Sequence, residues 1–451
     1  MLALLTIARN TFVESLRQPI VLIMVVLTGV LQYLNTAISA YSMGYRRVPG
    51  EITGDDKVLF DIGLATVFLM GMVLAAFVAT SAISREIENK TVLTVVSKPI
   101  SRAAVVGGKF LGVGATMVLA VIPMILYLLF GLRHGVMSTA GDTIDWPTLV
   151  FALSPLLIAG GAGAFANFFY GWSFPQTTLV VLVPLTMAGY GASLVVGEGW
   201  QLQPPTESIK PQVLIASAAL AIAVLVMSAV AVAASTRLGQ VMTIVVSAGV
   251  FVLGLLSNHL LARHAFTGSP YAFVESVTPD APRFEGLDEP GDRYTVVLAG
   301  KPDAELERGR PFRYGPSPEG AGMVTPAFPA VSEGTDLSRD VFPPEMPPAL
   351  VITAVDGLRL TVKHVGGRPL EFRRPPRPGD WCFVEHPRIR WPALVVWSVI
   401  PNMQAFWLVD AVTQVRDIPA SHLGLVALYG GFQIVGLFAL SVLLFQGRDV
   451  G

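Results

Sequence analysis

The chain has 451 residues, of which 53% are hydrophobic and only 14% are charged. Soluble domains carry roughly 25% charged residues, so this composition excludes an ordinary soluble enzyme. The formal net charge is −1, which excludes a broad basic face for nucleic acid, and the one cysteine, Cys382, excludes an intrachain disulfide or a cysteine cluster for zinc or iron–sulfur.

Residues 1–18 read as an interfacial amphipathic helix. Leu2, Leu5, Ala8, Phe12 and Leu16 recur every three or four positions, with Arg9, Asn10 and Glu14 between them. Pro19 marks a break, and a charge-free run follows over 19–44, preceded by Arg9 and Arg17. That run is too long for the apolar core of a cleaved signal, so it reads as a retained first span. Seven further charge-poor runs follow, at 62–83, 110–132, 146–170, 175–197, 211–236, 238–257 and 421–446. Each reaches the length of about 20 residues at which a helix crosses a hydrocarbon core. Pro123, Pro155 and Pro184 lie inside runs, where neighbouring helices and hydroxyls can satisfy the freed backbone groups. The small-residue run 159–164 (AGGAGA) offers a surface for close helix contact. No ionisable residue stands at the middle of any run, which weighs against a proton- or sodium-coupled carrier.

Orientation is read from lysine and arginine in short loops. With the N-terminus inside, the cytoplasmic side collects Arg9, Arg17, Arg85, Lys90, Lys98, Arg102, Lys109, Arg237 and Arg448, against Arg46, Arg47, Lys57, Arg133 and Lys210 outside. Eight spans then leave both termini in the cytoplasm.

Residues 258–392 differ in composition, with 34 of the 63 charged residues and 20 of the 33 prolines. They read as a soluble domain, placed outside the cytoplasm by span parity. A strand is expected over 294–299 and a hairpin over 351–365, turning at Asp356-Gly357. Residues 302–348, rich in Pro, Gly and Glu, are expected to be irregular. Residues 393–420 are apolar at first but carry Pro401, Asn402, Gln404 and Asp410. They are expected to form outer re-entrant or interfacial helices rather than a ninth span. Residues 421–451 hold the last span and a cytoplasmic C-terminus. The fold class expected is an all-α polytopic membrane protein of about eight spans with an inserted β-rich extracytoplasmic domain.

The loop after the second span reads SREIENKTVLTVVSKPISRAAVVGGKFLG, 84–112. Ser84 can cap a helix there, and Glu86 and Glu88 fall in its first turn, where the positive helix end favours carboxylates. Lys98 and Pro99 end it, and Ile87, Val92, Val95 and Val96 supply an apolar stripe. A capped helix with such a stripe has the form of a docking element, whereas an ordinary cytoplasmic loop needs only charge.

No G-x-x-x-x-G-K-[ST] loop occurs; Gly107-Gly108-Lys109 lacks both the upstream glycine and the following Ser or Thr. HExxH and G-x-S-x-G are absent. The histidines His134, His259, His264, His364, His386 and His422 show no metal-ligand spacing. Trp381, Trp391, Trp397 and Trp407 have the placing of an interfacial aromatic belt.

The stretch SREIENKTVLTVVSKPISR with GGKFLG, the segment IPNMQAFWLVDAV with DIPASH, the ending LLFQGRDVG, and AASTRLGQ at 233–240 together resemble permeases of the type-2 ABC exporter class. They are most similar to the nitrous-oxide-reductase-maturation and gliding-associated permeases. The resemblance implies a non-catalytic transmembrane subunit, dimeric with a second copy or a homologue, that works with separate ABC ATPase subunits holding ATP and magnesium. It binds no cofactor or metal itself. It further implies a coupling helix over 84–99 formed by Ser84, Arg85, Glu86, Ile87, Glu88, Thr91, Val92, Val95, Lys98 and Pro99, with Glu86 and Glu88 as polar contacts and Ile87, Val92 and Val95 as the buried side. Two features depart from the six-span pattern: the hairpin 146–197 and the domain 258–392. The expected function is an ATP-driven exporter permease in a bacterial plasma membrane. The alternative is a mechanotransmission subunit acting on an extracytoplasmic protein without transport. A membrane enzyme or secondary carrier fits least.

Overall fold

A long helix that is apolar on every face must be covered by other helices or by lipid. The computed structural model describes residues 2–39, 54–83, 101–136, 144–205, 209–267, 270–281, 289–301, 306–320, 322–328, 331, 335–369, 374–383, 385–409, 412 and 418–446. Among these residues, eight helices are long and apolar enough to cross a membrane, one for each run read from the sequence. The chain is a polytopic helical membrane protein with an antiparallel sheet domain, in two compact units: Met1–Leu255 with Pro401–Gly451, and Leu256–Ile400.

The first unit begins with α1 (Leu2–Leu16), which ends just before the proline that opens α2 (Pro19–Ile38). Then come α3 (Gly54–Ala82), α4 (Arg102–His134), α5 (Trp146–Tyr170), α6 (Phe174–Val195), α7 (Pro211–Ser235) and α8 (Gln240–Ser257). The last span is α10 (Ala420–Gln446). The most buried spans are α3, α4 and α7, each more than half covered within the unit, whereas α5, α6, α8 and α10 are covered for a third or less. Polar side chains bind the interior. Gln32 Nε2 donates to Gly63 O at 2.9 Å and Asn35 Nδ2 donates to Leu59 O at 2.8 Å, tying α2 to α3. Such amide-to-carbonyl bonds are worth about 0.6–2 kcal/mol each in a membrane interior.

The pair α5–α6 forms an antiparallel hairpin on the outside of this core. Its crossing is close at two glycines. A Cβ on Gly163 would meet Thr178 Oγ1, and one on Gly189 would meet the Phe151 carbonyl. Gly160 and Gly161 face open space, so only one face of the small-residue run is used. Asp145 caps α5 by accepting from Thr148 N at 3.0 Å, and Arg133 donates to Thr148 Oγ1 at 3.0 Å and to Val196 O at 2.8 Å. These bonds fasten both limbs of the hairpin to the end of α4.

Two helices run further than the apolar stretches. α4 begins at Arg102, eight residues before the expected span, because its first two turns pack on α1 and need not lie in hydrocarbon. α8 passes through a π-helical turn (Asn258–Ala262) into a last helical turn (Arg263–Ala265).

The second unit holds an antiparallel sheet in the order β4-β7-β2-β3-β6-β5. Its strands are β2 (Pro270–Pro279), β3 (Arg293–Leu298), β4 (Arg313–Gly315), β5 (Ala349–Asp356), β6 (Arg359–Val365) and β7 (Trp381–Phe383). A separate ribbon pairs β1 (Phe266–Thr267) with β8 (Arg388–Ile389). The core gathers Val274, Val296, Phe312, Tyr314, Leu350, Ile352, Leu360 and Val362. The hairpin β5–β6 forms as expected, but Asp356 pairs with Arg359, so the two-residue loop is Gly357-Leu358, one position later than read. Gly357 has φ +60°, and glycine at the first loop position is the signature of a type II′ turn. The irregular region 302–348 contains β4, held by Cα pairing with β7.

Buried Lys363 organises one side of the sheet. Its Nζ donates to Leu337 O at 3.1 Å and lies 2.9 Å from Asp340 Oδ1, which also receives Arg293. Hydrogen bonds from Lys363 and then Arg293 hold the Asp340 carboxyl below the usual carboxylate range. Cys382 is fully buried, and burial pushes its thiol up to about 12.

Candidate functional site

The ten residues expected to seat an ATPase (Ser84, Arg85, Glu86, Ile87, Glu88, Thr91, Val92, Val95, Lys98 and Pro99) lie outside the described residues, as does Asp410. What is described is the frame from which residues 84–100 emerge. On one side α3 ends at Ala82 and Ile83. On the other, Ser101 caps α4 by accepting from Ala104 N at 3.2 Å. Buried Lys109, in the third turn of α4, donates its Nζ to Ala82 O. That carbonyl belongs to the last turn of α3, the negative end of the helix, which favours a cation. The two helices that carry the segment are therefore pinned to each other beside it.

α1 clamps the same end. Gly108 and Gly112 are four apart and so share a helix face. A Cβ on Gly108 would stand 2.9 Å from Leu4 O and 2.7 Å from Ile7 Cβ, and a Cβ on Gly112 would stand 2.7 Å from Ala8 O and 2.6 Å from Thr11 Cβ. Because the α1 backbone itself occupies the space, no side chain fits there. Gln18, at the α1–α2 corner, donates to Ser81 Oγ at 2.7 Å. From the far side, Arg102 donates to Gln446 O at 2.8 Å, and Val106 packs with Phe445. Four segments of chain thus converge on the two roots of residues 84–100: α1, the end of α3, the start of α4 and the end of α10.

A second constellation lies at the other end of the same unit. Of the residues read as an outer re-entrant segment, Pro401 and Asn402 lead into a 3-10 turn (Met403–Phe406) that contains Gln404, against α8 and α10. Gln404 Nε2 donates to Leu255 O at 2.8 Å, and Tyr429 Oη receives Asn402 N at 2.8 Å. Asn402 Oδ1 accepts from Gln404 N at 3.1 Å and so caps the turn. Gly254 is required here, since a Cβ would stand 2.4 Å from Pro401 O. Beneath the turn is a cavity of about 730 Å³ lined by Phe68, Leu69, Leu220, Phe251, Phe406 and Trp407 among others, with Gln404 its one amide. Its size and lining suit an apolar molecule. Before it, α9 (Trp391–Val399) has nine residues and a length of about 14 Å, less than half of a hydrocarbon core of about 30 Å. It groups with the second unit.

Sequence reasoning missed the clamp and the pin. The Gly-x-x-x-Gly spacing at 108 and 112 was available, but Lys109 looked like an ordinary loop cation because the apolar run starts at the next residue. Among the described residues, no three His, Cys, Asp or Glu side chains are grouped to hold a metal.

Among the described residues, eight helices are long and apolar enough to cross a membrane, and two of them lead to and from residues 84–100. Residues 5–173 match the family model described as ABC-2 family transporter protein. The match runs from α1 into the α5–α6 hairpin and includes 84–100, and it supports an ABC-2 type permease, the transmembrane component of an ABC transporter. No curated protein and no solved structure matches the chain.

Proposed function

We propose that this chain is the transmembrane subunit of an ATP-driven ABC exporter in a bacterial plasma membrane, paired with a second permease copy or a homologue. Hydrolysis resides in separate ATPase subunits that hold ATP and magnesium; this chain binds neither. Ser84–Pro99 is the element those subunits grip. Glu86 and Glu88 make its polar contacts, Ile87, Val92 and Val95 its buried side, and Arg85, Thr91 and Lys98 its rim. Both termini are cytoplasmic, and the soluble domain 258–392 lies outside. The resemblance to maturation and gliding permeases is part of this proposal.

The observation that carries it is the double fastening of the roots of residues 84–100. A gripped segment transmits force only if its roots are stiff. Lys109 on Ala82 O and α1 on Gly108 and Gly112 make them so. Motion of the segment is then passed to α3 and α4 as rigid rods, in a two-state scheme of the rocking kind. The cavity under the Pro401–Trp407 turn is lined by Phe68 and Leu69 in the middle of α3, so such motion would alter its walls.

The test is capture of an ABC ATPase by the purified full chain, compared with Glu86→Ala combined with Ile87→Asp. The proposal expects capture by the parent chain and its loss in the variant, with unchanged thermal stability. Equal capture by both removes the docking role. Nucleotide hydrolysis that answers only to an extracytoplasmic protein, without flux in proteoliposomes, would convert the export reading to mechanotransmission.

A further inference from the structure

Within the second unit, residues 256–267 and 386–400 lie side by side as a neck, and the chemistry of that neck is one-sided. The helix that enters it is apolar enough to span over Gln240–Ala265, 26 residues or about 39 Å. A hydrocarbon core of about 30 Å leaves the last turns of that helix at headgroup depth, and Arg263 stands in the last of them, exposed. The ribbon then sets Arg388 opposite Thr267, and Arg390 N donates to Ala265 O at 2.8 Å. Arg388 and Arg390 are two apart along an extended chain, so they share a face, and both are exposed. Three arginines are thus collected at one level, with His259 and His264 beside them. Neither 256–267 nor 386–400 contains an Asp or Glu, and along the chain Glu385 precedes the second of them.

Directly below this collar is an apolar foot. α9 starts at Trp391 and packs back along the π-helical turn and the last turn of the entering helix. Its half-buried stripe, Ala393, Leu394 and Trp397, faces the unit, and Trp397 meets the Phe266 ring edge-on at 6.2 Å. Its outer stripe, Trp391, Val395, Val396 and Val399, is more than half exposed at each position. A helix apolar on both faces has no stable place in water.

Cations stacked over exposed hydrocarbon match a leaflet bearing anionic phospholipid, in which phosphates lie above acyl chains. We propose that the neck is a binding site for anionic phospholipid: Arg263, Arg388 and Arg390 engage headgroup phosphates while α9 is immersed among the acyl chains. The site fixes the depth of the outer domain at the bilayer, whichever side that is, and it stands independently of the exporter reading.

The full chain is purified in detergent, supplied with equal amounts of phosphatidylglycerol and phosphatidylcholine, and the retained lipid is counted by native mass spectrometry. The parent chain should be enriched in phosphatidylglycerol. Arg263→Gln, Arg388→Gln and Arg390→Gln together should lower that enrichment about tenfold, since each arginine near a charged leaflet contributes about fivefold at most. The three Arg→Lys changes should keep most of it, and Arg359→Gln at the distant hairpin tip should change nothing. Independently, a fluorophore on Val396→Cys should be quenched by acyl chains brominated near the headgroup in reconstituted bilayers. Unchanged enrichment in the triple glutamine variant overturns the proposal. An unquenched Val396 probe overturns it as well, and is what an acidic protein seated on the neck would produce.

Discussion

Two glycine-rich stretches look alike as strings: GGKFLG at the start of α4 and AGGAGA in the middle of α5. In the structure they do different things. Gly108 and Gly112 lie under the backbone carbonyls of α1, at distances no Cβ could share, whereas Gly160 and Gly161 have nothing within 4 Å and only Gly163 meets its neighbour α6. The small residue itself does not make a contact. What makes it is a second backbone brought to the same face, and in α4 that backbone is a helix that also corners into α2 and is fastened to α3 through Gln18 and Ser81. The clamped stretch belongs to the frame around residues 84–100. The open stretch belongs to a hairpin on the periphery of the core.

The largest effect expected from breaking this contrast is at the clamp. Gly108→Val together with Gly112→Val should cost about 3 kcal/mol or more, because the obstructing atoms include the backbone oxygens of Leu4 and Ala8, which cannot step aside. The check is the thermal unfolding midpoint in detergent. Loss of ATPase capture should accompany the drop even though residues 84–99 are untouched. Second is Lys363→Met in the sheet unit, which leaves the Leu337 carbonyl and Asp340 without their buried cation. Its expected cost is about 2–3 kcal/mol, read in the unfolding of that unit while the membrane unit is unchanged. Third, Gln32→Leu with Asn35→Leu should cost about 1–3 kcal/mol by freeing α2 from α3.

A smaller effect concerns acid. The Asp340 carboxyl is depressed in the folded chain by Lys363 and Arg293. Its stabilisation is present above the unfolded value near 4 and is lost as pH falls through the lower folded value. The sheet unit should therefore lose stability below about pH 4, and Asp340→Asn should flatten that part of the profile. Smallest of all is Gly161→Val, expected within about 0.5 kcal/mol of the parent. A large drop there, or a change in oligomeric state, would mean that another chain packs on the open face of α5.

Much of the architecture is legible in the sequence because lipid imposes a simple rule: twenty apolar residues without charge make a span. All eight runs are helices, and the composition change near 258 marks the second unit. The hairpin β5–β6 is legible from its alternating β-branched residues, although its turn is displaced by one position because glycine, not the aspartate before it, takes the left-handed angle. Less legible are β2 and β7, which pair with each other across more than a hundred residues, since local pattern carries no information about so distant a partner. The same holds for the site. Pro401, Asn402 and Gln404 stand out as polar residues in an apolar stretch, but that Gln404 would reach Leu255 O, or Lys109 reach Ala82 O, depends on helix packing that no short window contains.

The central claim is that residues 84–99 face the cytosol within reach of an ATPase. Asn89→Cys tests it with little background, because the single native thiol, Cys382, is buried and pushed up to about 12, where it is unreactive at neutral pH. Labelled with a membrane-impermeant maleimide, the variant should react in inverted membrane vesicles and not in intact spheroplasts. Reaction in intact spheroplasts would place the segment on the opposite side of the membrane and contradict the account.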